Sequence, residues 1–485
     1  MNIQEAKKQI ENAMRAYFAQ DEYGNYLIPP QAQRPVFLMG PPGIGKTAIM
    51  SEIAQELGVG LLSYSMTHHT RQSALGLPLI ETKIYGGKEY KVTEYTMSEI
   101  IASVYDLIED GGFSQGILFL DEINCVSETL TPTMLQFLQY KTFGKHSVPG
   151  GWIVVTAGNP PEYNRNVREF DIVTWDRLKR IDVEPDYEAW KGYAREKGVH
   201  PAVLTYLELR KEDFYRVESS VEGKRFVTAR GWDDLSEMLK LYERCGIEAD
   251  KLLMGQYLQD KELSDRFADY YELFRKYRSD YQIEEILGGR TPEEVLDRAK
   301  AAPFDERLSL MGLMLDSVSG DMRRVIERED EIKALLAVLR ELKAGGSVSE
   351  QLLGQLRERE KAERCGALSG VRLRRCDYVI DFLRREQEAD FARIKADYDA
   401  ELAQMKASAA VAGERLSCLF RFCEAAWSQG QELLILVAEL AGSGHCARFI
   451  SRYGSEEYHR HDRELMFYQR GRELAGELER LETSL

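Results

Sequence analysis

Basic charge is in short supply in this 485-residue chain: 64 lysines and arginines face 80 aspartates and glutamates, for a formal net charge of −16. A protein built to coat nucleic acid needs a basic face to neutralise phosphates, so the balance speaks against that class and leaves open only a local basic channel. Cysteine is scarce too. Seven residues, odd in number and unevenly spaced, make no disulfide framework and read as reduced thiols of a cytosolic protein. Long apolar runs are missing: Leu433–Ala438, the longest near the C-terminus, falls far short of the roughly 20 residues a bilayer demands. Met1–Gln20 reads as a charged amphipathic helix without the apolar core of a signal peptide. There is no internal repeat and no low-complexity segment. The expectation is a soluble, cytoplasmic protein without a membrane span, and 44% apolar with 30% charged residues leaves ample material for two to four packed domains.

What is present is concentrated in residues 36–47, where an apolar strand, Val36-Phe37-Leu38-Met39, runs into Gly40-Pro41-Pro42-Gly43-Ile44-Gly45-Lys46-Thr47. This is a complete G-x-x-x-x-G-K-T loop between a strand and a helix predicted over Ala48–Leu57. Its glycines let the backbone curl so that successive N–H groups face nucleotide phosphates, and the following helix adds its positive end. Lys46 reaches the β- and γ-phosphates, and Thr47 supplies a hydroxyl for Mg²⁺.

Around this loop the pattern is that of a parallel α/β domain. Residues 3–20 form a leader helix, with Ile3, Ala6, Ile10, Ala13, Met14 and Tyr17 at helical spacing. Gly60–Ser65 reads as a second strand, followed by a polar stretch, Met66–Ser73, at the edge of the sheet where ligands and partners meet such loops. Residues 79–95 carry a hairpin signal around Gly86-Gly87, and Met97–Glu109 a helix. Gly116–Leu120 is a continuous apolar run ending in Asp121-Glu122, as expected of a buried central strand that delivers carboxylates to the sheet edge. A short helix over Pro132–Tyr140 and a polar turn or hairpin over Thr142–Gly151 precede the apolar strand Trp152–Ala157, which ends in Gly158-Asn159-Pro160. A polar Asn159 there can orient a water near a γ-phosphate, although Asn before Pro is also a common turn starter. Trp175–Arg180 is expected to set Arg177 and Arg180 one helical turn apart, with a final strand from Ile181. Beyond Tyr187 the pattern is almost entirely helical, with breaks at 288–292 and 345–347. Phe391, Ile394, Tyr398, Leu402 and Met405 form a stripe that suits a helical hairpin. Cys418, Cys423, His445, Cys446, His459 and His461 fit no common zinc spacing.

Taken in order, Gly40–Thr47, Ile117–Asn124, Thr156–Pro160, Asp176-Arg177 and Thr228-Ala229-Arg230 resemble an AAA+ ATPase, most closely the MoxR branch, over residues 1 to about 290. The resemblance implies an α/β P-loop NTPase core, a parallel sheet flanked by helices, over 1–185, an all-α lid over 186–290, and a helical C-terminal region over 291–485 able to dock partners. It implies ATP and Mg²⁺ as ligands. Gly40, Pro41, Pro42, Gly43, Ile44, Gly45, Lys46, Thr47 and Ala48 would cradle the nucleotide, Asp121 would hold Mg²⁺ together with Thr47, and Glu122 would orient the attacking water. Asn159 would be the γ-phosphate sensor and Arg230 the lid sensor. Arg177 or Arg180 would be the finger reaching a neighbouring subunit, the choice left open by Leu178 where the family carries Phe. The hairpin at 79–95 resembles the insert of the MoxR branch. A self-assembled ring, presumably of six in the family pattern, a protein client and a partner with a von Willebrand factor A domain are implied by the resemblance alone. The alternative is an AAA+ nucleic-acid motor or restriction-type NTPase, against which the acidic charge counts.

Overall fold

The computed structural model describes residues 1–463 apart from 165–166, 221–222, 365–369, 387–388 and 429. The chain divides into two compact units, one of residues 1–189 with 350–381, the other of 190–349 with 382–485.

The first unit opens with α1 (Ile3–Phe18), started by a capping box in which the Asn2 side chain accepts from the Glu5 N–H at 2.9 Å and the Asn2 N–H donates back to Glu5 at 3.0 Å. Its buried stripe of Ala6, Ile10, Ala13 and Met14 is the one the spacing predicts. Then follow β1 (Val36–Met39), α2 (Lys46–Leu57), β2 (Gly60–Ser65), the short α3 (Arg71–Leu75) and a hairpin of β3 (Pro78–Tyr85) and β4 (Lys88–Tyr95). After it come α4 (Glu99–Glu109), β5 (Gly116–Asp121), α5 (Thr131–Tyr140), a small hairpin of β6 (Thr142–Phe143) and β7 (His146–Ser147), β8 (Trp152–Gly158), α6 (Ile172–Trp175) and β9 (Lys179–Asp182). Lys7 ties α1 to α2 through Glu52 at 2.9 Å and Glu56 at 2.7 Å.

Five strands pair in parallel in the order β2-β5-β8-β1-β9. Their burial explains their composition: β5 is buried from Gly116 to Leu120 and β8 from Trp152 to Gly158, so both read as continuous apolar runs. Because every strand points the same way, the residues after β1, β2, β5 and β8 emerge along one edge. Phe37, Leu118, Leu120, Val154 and Trp152 share a core with Phe137 of α5 and Ile100, Ile101 and Val104 of α4.

One expectation is corrected here. The helix before the last strand stops at Trp175, so Arg177 lies in a turn and Arg180 on β9; they do not share a helical face. Burial decides it: Leu178 is driven into the core and Ile181 onto β1 at Leu38, and the chain straightens between them.

The second unit carries α7 (Tyr187–Lys197), most of whose residues belong to it, then α8 (Pro201–Leu209) and a hairpin of β10 (Arg216–Ser220) and β11 (Gly223–Val227). That hairpin departs from the nearly all-helical expectation. Val217 pairs with Phe226 and Arg216 with Val227, so antiparallel pairing of 216–220 with 223–227 holds amid helical surroundings. It continues through α9 (Ala229–Cys245), α10 (Lys251–Tyr257), α11 (Lys261–Asp280), α12 (Ile283–Leu287), α13 (Glu293–Ala301) and α14 (Phe304–Lys343). Next come α15 (Val348–Arg364) and α16 (Gly370–Arg385), of which residues 350–381 group with the first unit, and then α17 (Phe391–Trp427), α18 (Gln431–Ala441) and α19 (Gly444–Tyr453).

The 40-residue α14 is the spine of this unit, with α8, α11, α17, α18 and α19 packed on it. The stripe containing Ile394 and Met405 lies on α17, which runs along α14. Among the described residues no single helix is long and apolar enough to cross a membrane.

Candidate functional site

The loop after β1 takes its shape from two glycines with different constraints. Gly45, at φ +95°, is the left-handed residue that turns the loop into α2. Gly40 has an ordinary backbone but no room, since a Cβ there would stand 2.7 Å from the Val183 carbonyl. The loop thus delivers the N-terminus of a 12-residue helix to the sheet edge, with Lys46 as its first residue.

Lys46 is buried, and its ammonium donates to the Gly40 carbonyl at 2.6 Å, the Pro41 carbonyl at 2.8 Å and Oδ1 of Asn159 at 2.9 Å. The strand-end Asn159 and the loop lysine, 113 residues apart in sequence, are therefore in direct contact. Thr47 donates from Oγ1 to Oδ2 of Asp121 at 3.0 Å, which brings a hydroxyl and a carboxylate together as hard oxygen donors. Such a pair suits Mg²⁺, and the anion-favouring helix end beside it suits phosphate. The residues present fit a magnesium nucleotide.

Glu122 is held in an unusual way. Its backbone sits in the left-handed region at φ 55°, ψ 34°, which costs a non-glycine residue about 1 kcal/mol. Its N–H donates to Oδ1 of Asp121 at 2.9 Å and its carbonyl accepts from Cys125 N–H at 2.9 Å, which fixes the turn. The carboxylate accepts at Oε2 from Thr67 Oγ1 at 3.1 Å and Ser65 Oγ at 3.3 Å. These hydroxyls come from the end of β2 and the turn after it, the polar stretch singled out in the sequence for its place at the sheet edge.

Asn124 is a residue that sequence reasoning missed. It is buried, donates from Nδ2 to the Asn159 carbonyl at 2.9 Å, and accepts the Arg168 N–H on its own carbonyl at 2.9 Å. Its Oδ1 lies so close over Gly158 that a Cβ there would stand 2.5 Å away. Asn124 thereby clamps the end of β8 beneath the Asp121-Glu122 turn and sets the height of Asn159. In the sequence Asn124 closes the Ile117–Asn124 segment that carries the resemblance, with no role attached to it. Cys125 beside it has its thiol pushed up by burial and by the charges of Glu122 and Asp121.

Lys46, Thr47, Asp121, Glu122 and Asn159 are thus brought to one edge, and Arg177 and Arg180 make their hydrogen bonds to residues outside that cluster. Arg177 is exposed and donates to Gln139 Oε1 at 2.6 Å. Arg180 is committed to Asp182 at 2.8 Å and lies over the Trp175 ring, 4.8 Å from its centre. Arg230 belongs to the second unit, where it is exposed in the first turn of α9 behind the Thr228 cap.

Residues 36–173 match the model of the ATPase family associated with various cellular activities (AAA). The matched segment runs from β1 into α6 and includes every residue of the Lys46–Asn159 cluster. The match supports an AAA+ ATPase in general, with a P-loop that binds nucleotide. No curated protein matches the chain.

Proposed function

We propose that the protein is a MoxR-like AAA+ ATPase that couples hydrolysis of ATP to remodelling of a protein client. The observation that carries the reading is the convergence of Lys46, Thr47, Asp121, Glu122 and Asn159 on one sheet edge, with Thr47 3.0 Å from Asp121 and Lys46 2.9 Å from Asn159. Bound Mg²⁺ would offset the charge on the terminal phosphates. The loop of Gly40 to Thr47, with Ala48, cradles the phosphates. Lys46 exchanges its carbonyl partners for phosphate oxygens, and Thr47 and Asp121 offer the metal its protein oxygens. Once released from Thr67 and Ser65, Glu122 orients water for in-line attack. Asn159 reports the terminal phosphate to β8, and Arg230 does the same from the lid. This division of labour suits a reaction whose barrier falls by positioning and charge, with no covalent step.

Oligomeric assembly is what an AAA domain suggests, and we assign the trans finger to Arg177. Arg180 is occupied by Asp182 and Trp175, whereas Arg177 is exposed and held by one neutral amide. A cytoplasmic ring, six-membered as in the family, with a von Willebrand A-domain partner completes the reading. The test is ATP turnover against protein concentration for Arg177→Ala and Arg180→Ala. The first should lose roughly 10³-fold or more at every concentration, as removal of a finger does. The second should stay within about threefold of wild type, since an exposed ion pair contributes little. Wild-type turnover by Arg177→Ala overturns that choice of finger, wild-type turnover by the Arg177→Ala, Arg180→Ala double variant at every concentration overturns the ring, and turnover stimulated by DNA replaces the client with nucleic acid.

A further inference from the structure

The second unit contains a cleft that the ATPase reading does not use. One stripe of α14 forms a wall: Leu308, Met311, Leu315, Asp316, Ser319 and Arg323 recur at three- and four-residue spacing and so face one way. The opposite walls come from α7, α8 and α18, with Leu204 and Ile435 adding apolar surface. Its volume is about 150 Å³, the size of a cavity that admits a benzene ring. An aliphatic body of valine or leucine size fits there.

The charges on its walls balance. Lys191, Arg195 and Arg323 face Glu208, Glu439 and Asp316. Lys191 pairs with Glu208 and, at 2.7 Å, with Glu439, which also takes Arg195. Arg323 donates from Nη2 to the Arg195 carbonyl at 2.9 Å. Both guanidiniums are seated in notches that only glycine leaves: a Cβ on Gly198 would collide with Arg323, and one on Gly442 with Arg195.

Three groups remain without a protein partner. Nε of Arg195 and Nε of Arg323 are buried donors with no acceptor. Asp316, two turns before Arg323 on the same face of α14, keeps a solvent-open side and makes no hydrogen bond among the described residues. Crowding by the surrounding helices pushes its carboxyl up, against the pull of His200, Arg278, Arg323 and Lys240. Side chains on a helix lean toward its N-terminus, so Arg323 reaches back toward Asp316. Two guanidiniums on the wall at one end, an exposed carboxylate at the other, and apolar side chains between them call for a ligand with an acid, an amine and an aliphatic body.

We propose that this cleft binds a free α-amino acid with an aliphatic side chain. Arg323 and Arg195 take its carboxylate, Asp316 takes its ammonium, and Met311, Leu315 and Ile435 cover its side chain. A zwitterion suits a site whose own charges cancel, whereas a lone anion or cation leaves one open group unmet.

Titration calorimetry of the full chain tests this with leucine, isocaproate and isoamylamine, the last two each lacking one charged group. Leucine should bind at one site per chain, and each half-ligand at least tenfold more weakly. Asp316→Asn should weaken leucine at least tenfold and leave isocaproate unchanged, and Arg323→Met should weaken both. Leu315→Trp, which fills the cleft, should abolish binding, with thermal melts confirming that each variant folds. Lys46→Ala should bind leucine as wild type does, which separates this site from the ATPase reading. No leucine binding at millimolar concentration, or wild-type binding by Asp316→Asn, overturns the proposal and leaves a cleft filled by water.

Discussion

Replacing Thr67 with alanine removes one of the two hydroxyls that hold the Glu122 carboxylate, the closer one at 3.1 Å, and leaves Ser65 at 3.3 Å. A hydroxyl-to-carboxylate hydrogen bond at a partly exposed site contributes about 1 kcal/mol. Losing it shifts the equilibrium between held and released carboxylate by about fivefold. If the released form is the minor one and is the form that orients water, basal turnover of Thr67→Ala rises by about three- to fivefold. The KM for ATP stays where it was, because the Thr67 hydroxyl is engaged with Glu122 and Ser65 and is not one of the groups assigned to the nucleotide. Thr67→Ser, which restores the hydroxyl, returns turnover toward wild type. A coupled assay at saturating Mg-ATP reads all three proteins. An unchanged rate, or a fall, refutes the idea that these hydroxyls restrain Glu122, and a fall means instead that they hold it in its working position.

Two further outcomes follow from other parts of the molecule. Asn124→Ala leaves the Asn159 carbonyl without its buried donor, at a cost of about 1–3 kcal/mol, and frees the end of β8. Its kcat should drop at least tenfold with a lowered melting temperature, and coupling to Asn159→Ala in a double-mutant cycle should be strongly non-additive. In the second unit, burial would raise the Glu243 carboxyl, but His200, Arg278 and Tyr271 outweigh it and bring the pKa from 4.5 to about 2. A depressed carboxylate contributes stability that is complete above pH 4.5 and is lost as pH falls toward 2. Glu243 is exposed, so solvent screening reduces what the shift contributes; Glu243→Gln should be less stable by about 1 kcal/mol at neutral pH, and thermal melts should show the gap to wild type closing across that acid window.

How much of this was legible in the sequence varies from element to element. The strands ending in Asp121 and Gly158 were plain because both are buried on two faces and so are apolar without interruption. The loop of Gly40–Thr47 was plain because a phosphate cradle restricts the residue types it can use. Asn124 and Thr67 were not, since their roles arise from contacts 35 and 55 residues away in sequence. The arginine pair was misread because helical spacing is a local signal, and the burial of Leu178 and Ile181 is not. The β10–β11 hairpin was missed for a related reason: its strands are short, mostly polar and lie between long helical patterns. The cleft on α14 left a trace only in spacing, and Gly198 and Gly442 gave no sign that each seats an arginine.

The measurement that bears most directly on the account is ATP binding and hydrolysis by Glu122→Gln beside wild type. Wild type should hydrolyse ATP in the presence of Mg²⁺. The variant, which keeps the shape of the residue and the Thr47–Asp121 pair but loses the carboxylate, should bind Mg-ATP within about twofold of wild type. Its turnover should fall by about 10²-fold or more, the share a positioned base supplies. Hydrolysis by Glu122→Gln at the wild-type rate, or a wild-type protein that binds ATP and turns over none at any concentration, would contradict the assignment of this edge of the sheet as an ATPase site.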